Sequence, residues 1–452
     1  MWLIIFSIVL VYCLYITHIY IKDSISKFCL YIYLFYWNIS IISSCFHPFG
    51  MHSIQDYTYF LLLLGMISFF LGMVTVQRVY RLSPTVNDNI NLFISNSALA
   101  RNPICLFLFT FCTFFLIKFA LNTLVAANNQ GAGLMDPDLR MKKIFEGKAS
   151  ASLLYMYVII PLFYSSLCIL FVSLFSKRTK RPYLFYILAI PFIIAYSVVA
   201  GGRNIFVIIL IYLFVTAICI RATRKKLNIP FKWTKYCIVL IFLAMIAMSL
   251  QTGYRKTGKY EISEDSIGEQ LQEMSELFAS YSLIPIKLFD IALEHDVPDE
   301  LDAFWFGRAT IAGTDEVLCG LYRRIIGTQP ESSAIITTYV QNTWVPNVLP
   351  DTGNLYNYCY TAVFYNYMDF GVLGVIIIPF FMGFIFRYYI YQFYKYRSLP
   401  ALMLVCFGFF MMVHSLFQCY FVKNWSLVYC VLLAIWQYRI SHKAPHKIIS
   451  IA

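Results

Sequence analysis

Long apolar runs alternate with short polar segments along most of this 452-residue chain. Many of the runs reach about 20 residues, the length of a helix that crosses the hydrocarbon core of a bilayer. The pattern predicts eleven membrane-spanning helices and one long polar interruption between the eighth and the ninth. The helices are expected at residues 2–20, 25–45, 57–77, 103–125, 152–175, 183–200, 204–220, 236–250, 361–386, 399–420 and 424–441.

The composition agrees with a membrane protein. Hydrophobic residues make up 60% of the chain and charged residues only 13%, whereas a soluble domain carries roughly 25% charged residues. A surface with so few charges could not be solvated on all sides, so a soluble enzyme, a secreted disulfide scaffold and a disordered chain are excluded. The predicted fold class is therefore an all-α polytopic membrane protein.

The net charge of +12 reflects membrane orientation, not binding of nucleic acid. The polar stretch at residues 251–360 holds sixteen of the 23 acidic residues but only seven of the 35 Lys and Arg. Basic residues gather instead in alternate connecting segments and in the C-terminal tail, and such segments face the cytoplasm. This pattern predicts an N-terminus outside, a C-terminus in the cytoplasm and a large extracytoplasmic loop at 251–360.

Three regions follow from this topology. Residues 1–250 form a membrane domain with spans 1–8, and residues 251–360 form the large loop, which is too long to remain without secondary structure. Residues 361–452 form spans 9–11 and a short cytoplasmic tail. Within the loop, apolar residues at helical spacing predict an amphipathic helix at Ser263–Leu283, and Thr314–Ile326 is expected to be another.

The first candidate site is the short connection Gly201-Gly202-Arg203-Asn204 at the outer face. It places Arg203 at the membrane boundary and at the start of the next helix, where free backbone N–H groups favour anions. Glycines allow close approach, and a guanidinium binds phosphate oxygens in pairs. The alternative is a tight turn whose arginine extends to lipid headgroups.

A second candidate follows the eighth predicted span on the same face. It contains Tyr254, Arg255 and Lys256, and its two cations run against the positive-inside bias. An anion site shared with Arg203 would explain them. Ordinary solvated loop residues are the competing interpretation.

A third candidate lies where the loop enters the ninth predicted span. Asn354, Tyr360, Tyr367 and Asp369 are polar or aromatic residues of the kind that binds carbohydrate, because rings stack on sugar faces and amides or carboxylates bind hydroxyls. An acid at membrane depth is costly unless it is used or paired. The alternative is an aromatic belt with Asp369 at a helix break.

Other polar residues have weaker cases. His295 is the only histidine of the large loop and a candidate general base, although a solvated loop histidine is more common. His414 is expected to be a hydrogen-bonded interior histidine. The remaining cations of the acidic loop are expected to form ion pairs; they include Arg308, Arg323 and Arg324.

These motifs and their order resemble the oligosaccharide repeat-unit polymerases of bacteria, the Wzy-type O-antigen and capsule polymerases. The resemblance extends over nearly the whole chain. It rests on the Gly-Gly-Arg-Asn turn at 201–204, the long loop before the last spans, and the run Gly-Asn…Tyr-Thr…Tyr-x-Asp-Phe-Gly-x-x-Gly within 353–374.

The resemblance implies a metal-independent enzyme of C-type glycosyltransferase architecture, without a cofactor, in the bacterial inner membrane. The growing glycan would leave its undecaprenyl diphosphate and join the non-reducing-end hydroxyl of a new lipid-linked repeat unit. Arg203 and Arg255 would bind the diphosphate, and Asp369 or His295 would take the acceptor proton. Beyond the bilayer and the lipid-linked oligosaccharide donor and acceptor, the expected partners are a flippase and a chain-length regulator.

Two other activities fit the same features. A glycan ligase would use the same cationic corner and the same lipid donor. A flippase or transporter would need acids or histidines deep in several spans, and here Asp369 and His414 are nearly alone.

Overall fold

The computed structural model describes most of the chain, and the structural statements that follow refer to that part. The described residues are 1–79, 103–129, 153–175, 183–200, 204–223, 282–301, 304–328, 330–343, 345–346, 348–352 and 360–443. Over these ranges the secondary structure is helical and contains no strand. The all-α class is thereby confirmed.

The first seven α-helices cover the N-terminal half of the described chain. A π-helical turn at Tyr155–Ile159 leads directly into the fifth of them. They are α1 (Trp2–Tyr20), α2 (Ser24–Ser44), α3 (Asp56–Val79), α4 (Pro103–Asn129), α5 (Ile160–Phe175), α6 (Tyr183–Ala200) and α7 (Asn204–Thr223).

Shorter helices come next, and longer ones close the chain. They are α8 (Ile284–Glu294), α9 (Val297–Glu300), α10 (Ala312–Ile326), α11 (Ala334–Asn342), α12 (Ala362–Phe370), α13 (Val372–Tyr396), α14 (Leu399–His414) and α15 (Ser426–Lys443). Helix α10 confirms the helix expected at Thr314–Ile326. The helix expected at Ser263–Leu283 and the span expected at 236–250 lie largely or wholly outside the described residues.

Six described segments are long and apolar enough to cross a membrane: Trp2–Tyr20, Ser24–Ser44, Asp56–Val76, Tyr155–Ser173, Ile205–Ala222 and Val372–Tyr396. Shorter apolar helices occur at Leu106–Phe119, Ile187–Ser197 and Leu399–His414. Most positions agree with the sequence pattern, whereas the total of eleven spans stays a prediction.

The ninth predicted span differs from the structure. In place of one helix over 361–386, the chain forms α12, breaks at Gly371 and continues as α13. Gly371 has φ +59° and ψ −138°, a backbone conformation that residues with a Cβ rarely adopt. A hydropathy pattern cannot detect this break, because apolar residues continue on both sides of it.

The described helices belong to two compact units. The first unit is assigned Met1–Pro84, Ser266–Tyr396 and Gly408–Ala452, and the second is assigned Thr85–Asp265 and Arg397–Phe407. Sequence position alone does not predict this assignment, because each unit combines segments that are distant in the chain.

Helices α3 and α13 form the centre of the first unit. A Cβ at Gly72 would overlap the carbonyl oxygen of Phe380, and a Cβ at Gly383 would overlap that of Phe69. Small residues on both helices therefore let the two backbones approach closely, as is typical of helix pairs in membranes. Any side chain at either glycine would force the pair apart.

Arg387 also lies inside this unit. The sequence pattern placed it in a cytoplasmic connection, but the structure places it within α13, where it is 1% exposed. Its Nη2 lies 2.5 Å from Asp23 Oδ2, while Asp23 Oδ1 accepts a hydrogen bond from Ser26 N and so caps α2. One aspartate thus joins the start of α2 to the second half of α13.

The second unit is held together largely by aromatic and thiol contacts. The rings of Phe163 and Tyr196 stack at 4.1 Å between centroids, and Tyr164 packs edge-on against Phe407. Cys168 Sγ lies 3.6 Å from Cys406 Sγ as a hydrogen-bonded thiol pair. These buried groups fill the space between α5, α6 and the segment before Gly408.

Candidate functional site

Asp369 is the centre of the polar arrangement that the structure describes in the first unit. Its side chain is fully buried. Oδ1 accepts from the backbone N–H of Ala309 at 2.7 Å, and Oδ2 accepts from the N–H and the hydroxyl of Thr310 at 2.9 and 2.5 Å. The carboxylate therefore binds the segment 304–311, which we call the Arg308 loop.

The backbone next to Asp369 binds the same loop. The N–H groups of Phe304 and Trp305 donate to the carbonyl of Met368, and the N–H of Phe306 donates to that of Asp369. These carbonyls are available because α12 ends at Phe370, and the last carbonyls of a helix have no intrahelical partner. The break at Gly371 thus creates the docking surface for the loop.

Asp369 is surrounded by neutral donors. Burial raises the pKa of its carboxyl above the ordinary aspartate value, although hydrogen bonds from Thr310 and Ala309 oppose that shift. A carboxylate whose oxygens are both occupied by the loop is badly placed to accept a proton from a substrate. The structure places Asp369 beside a helix break, as the alternative in the sequence analysis has it, and shows the carboxylate paired with the loop, which gives Asp369 a positioning task.

Arg308 is the cation that this loop presents. Its Nε donates to Asp315 Oδ1 at 2.7 Å and its Nη2 to Asp315 Oδ2 at 3.1 Å, and Nη2 also donates to the Glu331 carbonyl at 2.5 Å. The guanidinium lies over the Trp305 ring at 5.3 Å from its centroid. Its side chain is 39% exposed, so a fixed guanidinium faces solvent at the surface of the loop. The predicted ion pair is confirmed.

The ion pair shifts both pKa values toward the charged forms. The hydrogen bond to Asp315 raises the pKa of the Arg308 guanidinium. Burial alone would raise the pKa of Asp315, but hydrogen bonds from Arg308 and Ser333 outweigh it and hold that pKa below its ordinary value. Ser333 donates both its N–H and its hydroxyl to Asp315 Oδ2, each at 2.8 Å, so the pair also fixes the start of α11.

Lys423 is a second cation of this region, which the sequence analysis missed. It follows the 3-10 turn Tyr420–Val422 between α14 and α15 and is half-buried. Among the described residues no carboxylate pairs with its ammonium, and burial lowers its pKa. The same signal that marked Arg255, a cation on the predicted outer side, could have identified it.

The turn that carries Lys423 packs against the start of α10. A Cβ at Gly313 would overlap Asn424 Oδ1 and lie 2.5 Å from the Val422 carbonyl oxygen. Cys419 Sγ lies 3.7 Å from the Thr310 carbonyl oxygen. The turn at 419–424, the Arg308 loop and the first turn of α10 are therefore parts of one arrangement.

The two described tyrosines of the predicted carbohydrate site have different environments. Tyr360 is 3% exposed, and its ring centroid lies 4.7 Å from that of Phe364, so protein covers the ring. Tyr367 is half-buried, and its hydroxyl lies 3.5 Å from that of Tyr57, which is 42% exposed. Tyr57 and Tyr367 form an accessible aromatic pair. Tyr57 carries no distinctive signal in the sequence, because aromatic residues are common at the ends of membrane spans.

The remaining predicted residues have these places in the structure. Asn204 begins α7. His295 follows α8 and is exposed. His414 is buried in α14 with its Nδ1 3.1 Å from the Phe410 carbonyl oxygen, which confirms the expected interior histidine. Gly201, Gly202, Arg203, Tyr254, Arg255, Lys256 and Asn354 lie outside the described residues.

The described groups are suited to binding anions and sugars. Arg308 and Lys423 supply positive charge, and Tyr57 and Tyr367 supply rings with hydroxyls. In the part of the chain that the structure describes, no three His, Cys, Asp or Glu side chains are grouped so that they could hold a metal ion.

Comparison with known protein families gives a match over almost the whole chain. The family model described as O-antigen polysaccharide polymerase Wzy matches residues 1–443. No curated protein and no solved structure matches the chain. The family match covers both compact units and the whole arrangement around Asp369.

Proposed function

The chain belongs to the O-antigen polysaccharide polymerase Wzy family, and from this membership we propose that it joins undecaprenyl-diphosphate-linked repeat units into O-antigen or capsular polysaccharide. The family acts in a membrane on lipid-linked oligosaccharides and polymerises O-antigen repeat units. The match over residues 1–443 is the observation that carries the proposal. The long apolar helices agree with it, because the substrate is anchored in lipid.

In the proposed reaction the bond between the sugar C1 of the growing glycan and its diphosphate breaks. A new bond forms between that carbon and the acceptor hydroxyl, whose proton is released. Negative charge develops on the departing diphosphate, so cations fixed near it would lower the barrier. We assign this task to Arg203 and Arg255, with Gly201, Gly202, Asn204, Tyr254 and Lys256 as neighbouring binding residues. No metal ion is required in this proposal.

Lys423 is a further candidate for binding anionic substrate groups. Its ammonium has no carboxylate partner among the described residues and is partly removed from water. Such a charge is costly unless an anion compensates it. A phosphate group of a lipid-linked substrate would provide that compensation.

Asp369 is proposed to hold the Arg308 loop, not to act as the general base. The hydrogen bonds from Ala309 and Thr310 support this assignment, because they occupy both carboxylate oxygens. Tyr367, together with Tyr57, is proposed to contact sugar rings of the substrate. Asn354 stays a candidate from the sequence, but the ring of Tyr360 is covered by protein and is not placed to stack on a sugar.

The proposed location is the bacterial inner membrane, with the N-terminus outside and the C-terminus in the cytoplasm. The distribution of basic residues between connecting segments supports this orientation. The acceptor and donor would then meet the large loop on the extracytoplasmic side. A flippase that supplies repeat units and a regulator of chain length are the proposed protein partners.

The decisive experiment uses the purified full-length protein in lipid with native lipid-linked repeat units and no nucleotide sugar. Products are separated on a gel, with and without EDTA. We expect a ladder spaced by one repeat unit that persists in EDTA. We expect Arg203→Ala to insert normally and to lose the ladder.

Arg221→Ala provides the matched control. Arg221 is an exposed arginine in the last turn of α7, the helix that Arg203 precedes, and its variant should keep the ladder. Full activity of Arg203→Ala at normal expression would contradict the proposed anion site. A wild-type protein that leaves the substrate intact would contradict polymerisation, and an added acceptor or sealed vesicles would then test for a ligase or a flippase.

A further inference from the structure

Helix α10 exposes a continuous apolar stripe. Its members recur at positions i, i+3, i+4, i+7 and i+8, the spacing of one helix face, and Ile325 is 80% exposed. On a surface that faces water such a stripe would be unfavourable, because each of these side chains would keep its apolar surface in contact with water. The stripe consists of Leu318, Leu321, Tyr322, Ile325 and Ile326.

The rest of α10 has different surroundings. Ala312, Asp315 and Cys319 are buried and fix one edge of the helix to the protein. The polar face carries Glu316 and, in the last turn, Arg323 and Arg324. The exposed side of the helix is therefore amphipathic. The buried residues Ala312, Asp315 and Cys319 fix the position of the helix relative to the bilayer.

That position can be read from the Arg308 loop, which leads into α10. The loop is hydrogen-bonded to Met368 and Asp369, immediately before the apolar span Val372–Tyr396 begins. The Phe304 ring contacts Gly371, with its Cε1 3.6 Å from the position of a Cβ there. Since a span begins where the chain enters the bilayer, we expect the loop at the membrane boundary.

The loop itself presents apolar side chains at that level. Phe304 is 58% and Phe306 75% exposed, and both have positive φ angles, +79° and +55°, which non-glycine residues seldom adopt. Leu373, in the first turn of the span, is also exposed. Two separate elements, the loop and α10, thus expose apolar groups near the start of one span.

We propose that α10 lies in the bilayer interface on the side where the span Val372–Tyr396 begins, with its apolar stripe and the rings of Phe304 and Phe306 in contact with lipid. Fifteen residues give a helix of roughly 22 Å, which is too short to cross a hydrocarbon core of about 30 Å. Parallel to the membrane, the helix can insert its apolar face to the boundary of the acyl chains.

The charges of α10 favour lipid over other occupants of the stripe. Arg323 and Arg324 follow one another beside the apolar face, and arginine binds the phosphates of lipid headgroups through its planar donors. Bacterial membranes are rich in such phosphates. This inference requires only that the chain spans a membrane, so its failure would leave the proposed polymerase activity untouched.

The test places a fluorescent amino acid at Ile325 of the full-length protein by codon suppression. The protein is reconstituted into vesicles of phosphatidylethanolamine and phosphatidylglycerol, with and without brominated acyl chains. Bromine in the chains quenches a probe in the bilayer, and iodide quenches one in water. The control probe replaces Glu316, an exposed residue on the polar face of the same helix.

We expect bromolipid to quench the probe at 325 several-fold more strongly than the probe at 316, and iodide to show the reverse order. Probes at Leu318 and Leu321 repeat the measurement on the same stripe, so one poorly folded variant does not decide the result. Equal iodide quenching at 325 and 316 would overturn the proposal. Protection of 325 from both quenchers would also overturn it, because protein would then cover the stripe.

Discussion

Two buried aspartate side chains lie at the ends of helices in the first unit, Asp369 near the end of α12 and Asp23 before the start of α2, and they are satisfied in opposite ways. Asp369 accepts hydrogen bonds from neutral groups of Ala309 and Thr310. Asp23 pairs with the positive charge of Arg387 in the second half of α13. The charged pair joins two helices. The neutral hydrogen-bond donors around Asp369 hold a loop instead, and they leave the cation of that loop, Arg308, at the surface.

The Asp23–Arg387 pair therefore stabilises helix packing, whereas Asp369 positions a loop. A buried ion pair is strongly unfavourable once one partner is lost, because the other charge stays buried without compensation. A carboxylate held by backbone amides loses less stability when one of its hydrogen bonds is removed, but the loop that donates those bonds then moves. We therefore expect disruption near Arg387 to reduce stability and disruption near Asp369 to reduce activity.

The largest effect is expected for Arg387→Met. Asp23 would be left buried and unpaired, at a cost of about 3–5 kcal/mol in the free energy of unfolding. Thermal unfolding of the purified protein in detergent measures the loss. The double variant Asp23→Asn, Arg387→Met should recover most of it, since asparagine keeps the cap on Ser26 N and no charge remains buried. A single variant as stable as the wild type would show that the pair contributes nothing.

A smaller loss of stability but a larger loss of activity is expected for Asp369→Asn. The amide offers one acceptor oxygen where the carboxylate offers two, so one donor of Ala309 or Thr310 stays unpaired, at about 1–3 kcal/mol. We expect the polymer ladder to weaken by an order of magnitude or more.

Amide hydrogen exchange provides the readout specific to positioning. Residues 304–311 should exchange faster in Asp369→Asn than in the wild type. Glu294→Gln, at an exposed glutamate that ends α8, should change neither the ladder nor the exchange. Unchanged exchange in Asp369→Asn with a lost ladder would instead favour a direct chemical role for Asp369.

Gly371→Ala is expected to act on the same loop through the backbone. At φ +59° and ψ −138° a residue with a Cβ costs about 1–3 kcal/mol, and relief of the strain would rotate the end of α12 away from the Arg308 loop. The control is Gly320→Ala in α10, where an added Cβ meets no atom within 4 Å and alanine is the better helix former. Gly320→Ala should keep or slightly raise the unfolding temperature, and an equal loss in both variants would refute the argument from backbone strain.

The smallest effect is a difference in pH dependence between Asp369 and Asp315. A raised pKa in the folded state means that the native protein binds the proton more tightly, so the contribution of Asp369 falls as pH rises above the ordinary aspartate value of about 4. The lowered pKa of Asp315 has the opposite sign, and its contribution falls as pH drops below that value.

Unfolding temperatures between pH 3 and 6 would show this difference. Relative to the wild type, Asp369→Asn should lose less stability as pH rises through this range, whereas Asp315→Asn should lose less as pH falls. Parallel curves for the two variants would contradict the opposite shifts.

Much of the fold follows from the sequence, but the candidate site follows only in part. Helices near 2–20, 25–45 and 57–77 were predicted within a few residues, because hydropathy is a local property of the chain. The interior histidine His414 and the ion-paired Arg308 were also expected from general rules. The break at Gly371 and the buried position of Arg387 were not, since apolar residues continue through both.

The candidate residues show why the rest could not be predicted. Asp369 was identified as an acid that must be used or paired, and this followed from the cost of burying a charge. Its partners, the amides of Ala309 and Thr310, are backbone groups sixty and fifty-nine residues away. Because nearly every residue has a backbone N–H, the residue type does not predict which ones bind Asp369. Lys423 was missed although it lies on the predicted outer side, because a single cation in a short turn is a weak signal.

The sequence by itself determined that this protein spans a membrane and which family it resembles, because these depend on composition, local hydropathy and ordered motifs. Only the tertiary structure decided that Asp369 holds a loop, that Arg387 is buried against Asp23, and that α10 exposes an apolar stripe. The physical reason is that burial and hydrogen bonding are properties of residues brought together from distant positions, and the free energy of each depends on the neighbour that folding supplies.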